Sequence, residues 1–178
     1  MKKWLSLLYV FVFITVVTAF SVNAEIVSGN CGVKYGDNVK WELDTESGVL
    51  TISGNGSMAY YGDEYGKCDG DDYHSPSFFS KRECISTIVI KNGVTSLGRS
   101  AFRCCTNLTN VIIADSVKEI CDYAFSGCTK LTNITWPDSI NSIGSYAFSD
   151  TGLKSVFLKN IDVIENGAFI GCNSLIDV

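Results

Sequence analysis

One histidine, His74, serves all 178 residues, and basic side chains are the minority, with 14 Lys and Arg against 19 Asp and Glu. Ser-His-Asp or Cys-His catalysis needs a base held by a third group on a rigid frame. His74 instead follows Asp69, Asp71 and Asp72 in a stretch broken by Gly62, Gly66 and Gly70, which supplies no such frame. Neither G-x-S-x-G nor H-E-x-x-H occurs, and those glycines do not lie between a strand and a helix, so no phosphate loop is read there. Zinc held by Cys68, His74 and Cys84 fits no established ligand spacing. The shortage of Lys and Arg, with no basic stripe in the second half of the chain, argues against nucleic acid, whose binding depends on displacing counterions from phosphate. No catalytic residue, metal ligand or cofactor is assigned, and no enzyme activity is expected.

What the chain has in quantity is repetition. Ala-Phe falls at Ala101-Phe102, Ala124-Phe125, Ala147-Phe148 and Ala168-Phe169, at spacings of 23, 23 and 21. A period of this size marks a solenoid. Aligned on Phe, the copies place Val94, Val117, Ile140 and Ile161 in one apolar column and Leu97, Ile120, Ile143 and Ile164 in the next. After Phe come Leu108, Leu131, Leu153 and Leu175, then Val111, Ile134, Val156 and Val178, then Ile113, Trp136 and Leu158. The shortened third period lacks one residue on each side of Leu153, so the columns survive and the loops absorb the change. The run L-x-x-V-x-I predicts a short strand, and I-x-x-x-A-F predicts a turn or two of helix. One copy cannot bury its apolar side alone, so the copies must stack, strand beside strand at about 4.8 Å.

From Cys128 to Phe148 the chain reads C-x-x-L-x-x-V-x-I-P-x-S-I-x-x-I-x-x-x-A-F almost whole. This resembles the BspA-like, or Treponema-type, leucine-rich repeats. The resemblance is strong over residues 85–178 and looser before them. It implies a secreted or surface-attached protein of a host-associated microbe, several relatives being described as adhesins.

At the other end, Lys2 and Lys3 precede an apolar run from Trp4 to about Phe20, and Val22-Asn23-Ala24 supplies a cleavage pattern. Residues 1–24 therefore read as a signal peptide, or as a membrane anchor if left uncleaved. Without them the chain carries 12 basic and 19 acidic groups, and residues 25–84 hold 11 of the acids and 5 of the bases. Within 25–84, Val39, Trp41 and Leu43 alternate with polar residues, a turn follows at 45–48, and Val49 to Ile52 return, which predicts a β-hairpin. This is the capping unit that a solenoid end requires, followed by an acidic loop. The stretch from Gly32 to Met58 resembles the N-terminal segment often found ahead of BspA-like repeats. The carboxylates of the loop could wrap Ca²⁺, but they lack the twelve-residue pattern with its terminal Glu, which leaves a solvated loop as the expectation.

All eight cysteines lie beyond residue 24. Cys105, Cys128 and Cys172 each sit three residues after the repeat Phe, a position where the resembled family commonly has Cys. They are expected as buried free thiols, with Thr151 in the nearest equivalent slot and a Cys105–Cys128 bond sterically conceivable. Cys68 with Cys84 is the expected bridge, since it would tie down the acidic loop. Cys31, Cys104 and Cys121 have no evident partner.

In each L-x-x-V-x-I strand the named residues point inward, so those between point out. The outward residues Val89, Ile112, Thr135 and Phe157, with Asn110, Asn133 and Ser155 beside them, form the candidate partner-binding face. The same residues are also ones that strands favour for their own sake. The sequence reading is thus α/β, a leucine-rich-repeat solenoid of about four short turns with an N-terminal β-hairpin cap. It divides into 1–24 signal peptide, 25–84 cap and acidic loop, and 85–178 repeats. The expected function is non-enzymatic binding of protein or glycan on host or neighbouring cells. The alternative is surface assembly by self-association at the C-terminal end, where the sequence stops as a fifth strand begins.

Overall fold

The computed structural model describes residues 25–32, 38–61 and 76–177. The segment read as a signal peptide, most of the acidic loop with Cys68 and His74, and Val178 lie outside the described residues. Eleven strands follow in chain order: β1 (Ile26–Asn30), β2 (Val39–Asp44), β3 (Val49–Gly54), β4 (Gly56–Ser57), β5 (Thr87–Ile90), β6 (Val94–Leu97), β7 (Asn110–Ile113), β8 (Glu119–Ile120), β9 (Asn133–Thr135), β10 (Ser142–Ile143) and β11 (Val163–Ile164). They make two sheets, β1-β2-β3-β5-β7-β9 and β11-β10-β8-β6-β4.

Each of the first three repeats contributes one strand to each sheet, and the fourth contributes β11 to the second. The L-x-x-V-x-I run supplies the first, pairing in parallel with Ile88 opposite Val111 and Val111 opposite Ile134, so identical columns meet at every step. The residues after it supply the second, with Ile120 opposite Leu97 and Ile143 opposite Ile120. Serines of the P-x-S-I position tie the coils together: Ser116 Oγ donates to the Val94 carbonyl at 2.7 Å, and Ser139 Oγ to that of Val117 at 2.6 Å.

The hairpin forms as expected, Asp44 opposite Val49 and Trp41 opposite Ile52. Asp44 organises its turn by accepting from the Glu46 and Ser47 amides and from Ser47 Oγ at 2.8 Å, bonds that lower its pKa. Two features go beyond the sequence reading. β1 adds antiparallel to β2, and β3 pairs in parallel with β5, setting Leu50 opposite Ile88 and Ile52 opposite Ile90. With β4 beside β6, the cap occupies the geometry of a coil without sharing its sequence.

Between the sheets lies a spine of rings. Phe102, Phe125, Phe148 and Phe169 stack at centroid distances of 5.2, 5.3 and 5.4 Å. Phe78 extends the column, 6.0 Å from Phe102, and Trp41 of the cap closes it edge-on at 5.4 Å. The spine therefore has five phenylalanines, one more than the four expected turns. The columns around it are buried through the second coil, and in the third Ile140, Ile143 and Leu153 stay buried while Ile134 and Trp136 are half-buried. In the fourth, Val163 and Ile164 are 44% and 47% exposed.

The helix expected at I-x-x-x-A-F is absent, and among the described residues no α-helix occurs; a short 3₁₀ stretch at Phe79–Cys84 is the exception to strand and turn. The cause lies in the backbone. In each copy the residue before Ala is left-handed (Ser100, Tyr123, Tyr146, Gly167), and so is the second residue after Phe (Cys104, Gly127, Asp150, Gly171). Left-handed residues four apart cannot belong to a right-handed helix. Alternate amides instead reach the next coil, Phe102 N to Ala124 O, Phe125 N to Ala147 O and Phe148 N to Ala168 O, while those between close local turns. The backbone groups a helix would have satisfied internally are satisfied along the stack.

Cys105, Cys128 and Cys172 are free thiols, the first two fully buried. Cys128 Sγ donates to the Phe102 carbonyl at 3.1 Å and Cys172 Sγ to that of Phe148 at 3.0 Å, while Thr151 Oγ1 reaches the Phe148 carbonyl at 2.9 Å. The column thus caps the carbonyls of Phe102 and Phe148. The bridge expected at Cys84 does not form: Cys84 ends the 3₁₀ stretch as an exposed free thiol. Cys104, on the left-handed turn, is disulfide-bonded instead.

Candidate functional site

Strand alternation sets one column of the first sheet's outer face. Glu42, Thr51, Val89, Ile112 and Thr135 stand opposite one another on β2, β3, β5, β7 and β9. Beside them run Val49, Thr87, Asn110 and Asn133. Val89 and Asn110 are half-buried, Asn133 and Thr135 exposed, and Ile112 is 42% exposed, high for an isoleucine in a central strand. Thr135 has a second occupation: its hydroxyl accepts from Ile113 N at 2.9 Å and donates to Val111 O at 3.4 Å, continuing the ladder where β9 ends.

Five of the seven expected face residues are thereby brought together. Ser155 and Phe157 are not. β9 ends the sheet, and Ser155 bridges onward to Asp177 rather than back to β9. The break coincides with the shortened third period, in which Leu153 and Val156 remain buried. Phe157, 63% exposed, lies beyond the sheet's edge. The residues missed from the sequence are Thr51 and Glu42; the alternation of Val39, Trp41 and Leu43 already placed Glu42 outward, but nothing indicated that the hairpin would join this sheet.

The face carries hydroxyls, amides and branched apolar groups, with one charge at its far end. It can bury apolar area and exchange hydrogen bonds with a partner, and it holds no nucleophile beside a base. Among the described residues no group of His, Cys, Asp and Glu could hold a metal ion, and no helix is long and apolar enough to cross a membrane.

Residues 75–178 match the BspA type leucine rich repeat region, in six copies. The chain belongs to the BspA-type leucine-rich repeat family. Solved structures agree with this BspA-type assignment. A leucine-rich repeat protein from Eubacterium ventriosum is 25% identical at a TM-score of 0.55, covering 84% of this chain and 43% of that one. One from Bacteroides ovatus is 26% identical at 0.54, covering 79% and 39%. The T. pallidum leucine rich repeat protein, 23% identical at 0.54, covering 78% and 66%, shows the shared fold. This BspA-type chain spans less than half the length of the first two. No curated protein matches it.

Proposed function

We infer that the chain is a non-enzymatic binding module, secreted or held at the cell surface, that recognises protein or glycan on host or neighbouring cells through the outer face of its first sheet. One observation carries this reading: Val89, Ile112 and Thr135 stand in register on three paired strands, with Ile112 left 42% exposed. A wide, flat face with apolar groups at its centre and amides beside them suits a partner surface. Membership of the BspA-type family supports an interaction role, and the basic-apolar-small order of residues 1–24 supports export. The test is binding of the labelled protein to host or neighbouring cells. Ile112→Ser with Asn133→Ala should weaken binding at least several-fold while thermal unfolding stays near that of the parent. Binding that persists, or a protein that no longer folds, overturns the assignment. A second reading, self-association into a surface assembly, is favoured by the exposure of Val163, Ile164 and Ile170 in the fourth coil. Light scattering separates the two, since a monomer at high concentration removes the second.

A further inference from the structure

A groove of about 530 Å³ crosses the outer side of the second sheet, on a different sheet from the face just described. Successive coils contribute its lining: Tyr60 from the cap, Arg99 from the first repeat, Glu119, Cys121 and Asp122 from the second, Ser142, Gly144 and Ser145 from the third, and Glu165 from the fourth. Five units at about 4.8 Å per step make it roughly 19 Å long, the shape of an extended ligand.

Its floor is fixed by backbone approach. A Cβ at Gly144 would stand 2.5 Å from Asp122 N, so the second and third coils approach closely there and the position requires glycine. Asp122 Oδ1 accepts from Ser145 N at 2.9 Å, which pins that carboxylate to the wall. Tyr60 lines the groove at its cap end and is 67% exposed, and its phenol is held above its ordinary pKa by the Cys121 thiol, then by burial and by Glu119. Arg99 also lines the groove, its Nε buried with no hydrogen-bond partner and its guanidinium carbon 5.7 Å from the centre of the Tyr123 ring.

Three carboxylates face one guanidinium, so the groove attracts positive charge. Glu119 and Glu165 are exposed and form no ion pair among the described residues. Tyr60, Ser142 and Ser145 add hydroxyls that both donate and accept. The lining has little apolar surface apart from the Tyr60 ring, which disfavours the hydrophobic small molecules most pockets take. A peptide is disfavoured for another reason: β8 and β10 are each paired on both sides, so no backbone edge is left for an added strand.

We propose that this groove binds an amine-bearing oligosaccharide, with Glu119 and Asp122 accepting from the ammonium and ring hydroxyls, and Tyr60 covering a sugar face. The proposal is independent of the first-sheet reading, since it concerns another surface. Calorimetry with three probes tests it: the trimer of glucosamine, the trimer of N-acetylglucosamine, and spermidine. The glucosamine trimer should bind at least about tenfold more tightly than the neutral trimer, for loss of a charge-assisted bond, and more tightly than spermidine, which has the charge without the hydroxyls. Glu119→Gln and Tyr60→Ala should each weaken it about tenfold. Both side chains are exposed, so both variants keep the parent's unfolding temperature, and Glu165→Gln provides a third check at the groove's far end. No binding of the glucosamine trimer, equal binding of either comparison probe, or binding indifferent to Glu119→Gln and Tyr60→Ala overturns it.

Discussion

Phe125 shows what a single side chain does in this molecule. Its ring is fully buried and stacked on both faces, by Phe102 and by Phe148, whereas Phe169 has a stacking partner in Phe148 and is half-buried. Truncation of a buried phenylalanine costs about 3–5 kcal/mol, so Phe125→Ala should lose that much in urea unfolding and Phe169→Ala clearly less. Equal losses would mean that the spine is not what holds the coils. The buried thiols set a pH limit. Burial pushes Cys31 from 9.0 up to about 12, and burial with the nearby Glu119 does the same for Cys121. Between those values the folded chain keeps protons that the unfolded chain gives up. Their contribution to stability is therefore complete below pH 9 and declines as pH rises toward about 12. Urea midpoints across that window should fall, and should fall less in Cys31→Ala.

At the scale of elements, the hairpin and the first-sheet strands of the repeats were legible, and the second sheet and the turns were not. Val111 and Ile113 announce a strand because alternate positions must be apolar when one side is buried, and that constraint is local. Ile120 with Ala124 and Phe125 has the spacing of a helix face, and the same spacing also serves a tight bend between two left-handed residues. Gly127, Gly167 and Gly171 occupy the left-handed slots and were the available signal, but Cys104, Asp150, Ser100, Tyr123 and Tyr146 occupy the equivalent ones without announcing it. Phe78 was missed because Ser77 replaces Ala and the acidic loop interrupts the period. The outward residues Val89, Ile112 and Thr135 followed from alternation alone, whereas the position of Phe157 depended on how the shortened third period would be absorbed. If the turns are as described, far-ultraviolet circular dichroism of the protein lacks the helical double minimum; a strong helical signal would restore the helix read from sequence.

For the molecule as a whole, cap and coils form one body. β3 enters the repeat sheet as an ordinary member, Trp41 closes the phenylalanine column, and Trp41 Nε1 donates to Ser77 Oγ at 3.1 Å across the junction. The consequence is a division of labour within the first-sheet strands of the repeats, inward residues holding the stack and outward residues facing away from it. Adjacent positions on β7 show it best, Val111 being fully buried and Ile112 being 42% exposed. Thermal unfolding of Val111→Ser beside Ile112→Ser is the most direct measurement. Val111→Ser removes apolar burial and leaves a hydroxyl in the core, a loss of about 2–4 kcal/mol, which at roughly 2–4 °C per kcal/mol is a large drop for a chain of this length. Ile112→Ser should unfold within a degree or two of the parent. Comparable drops for both would show that the outer face is part of the core and contradict the account.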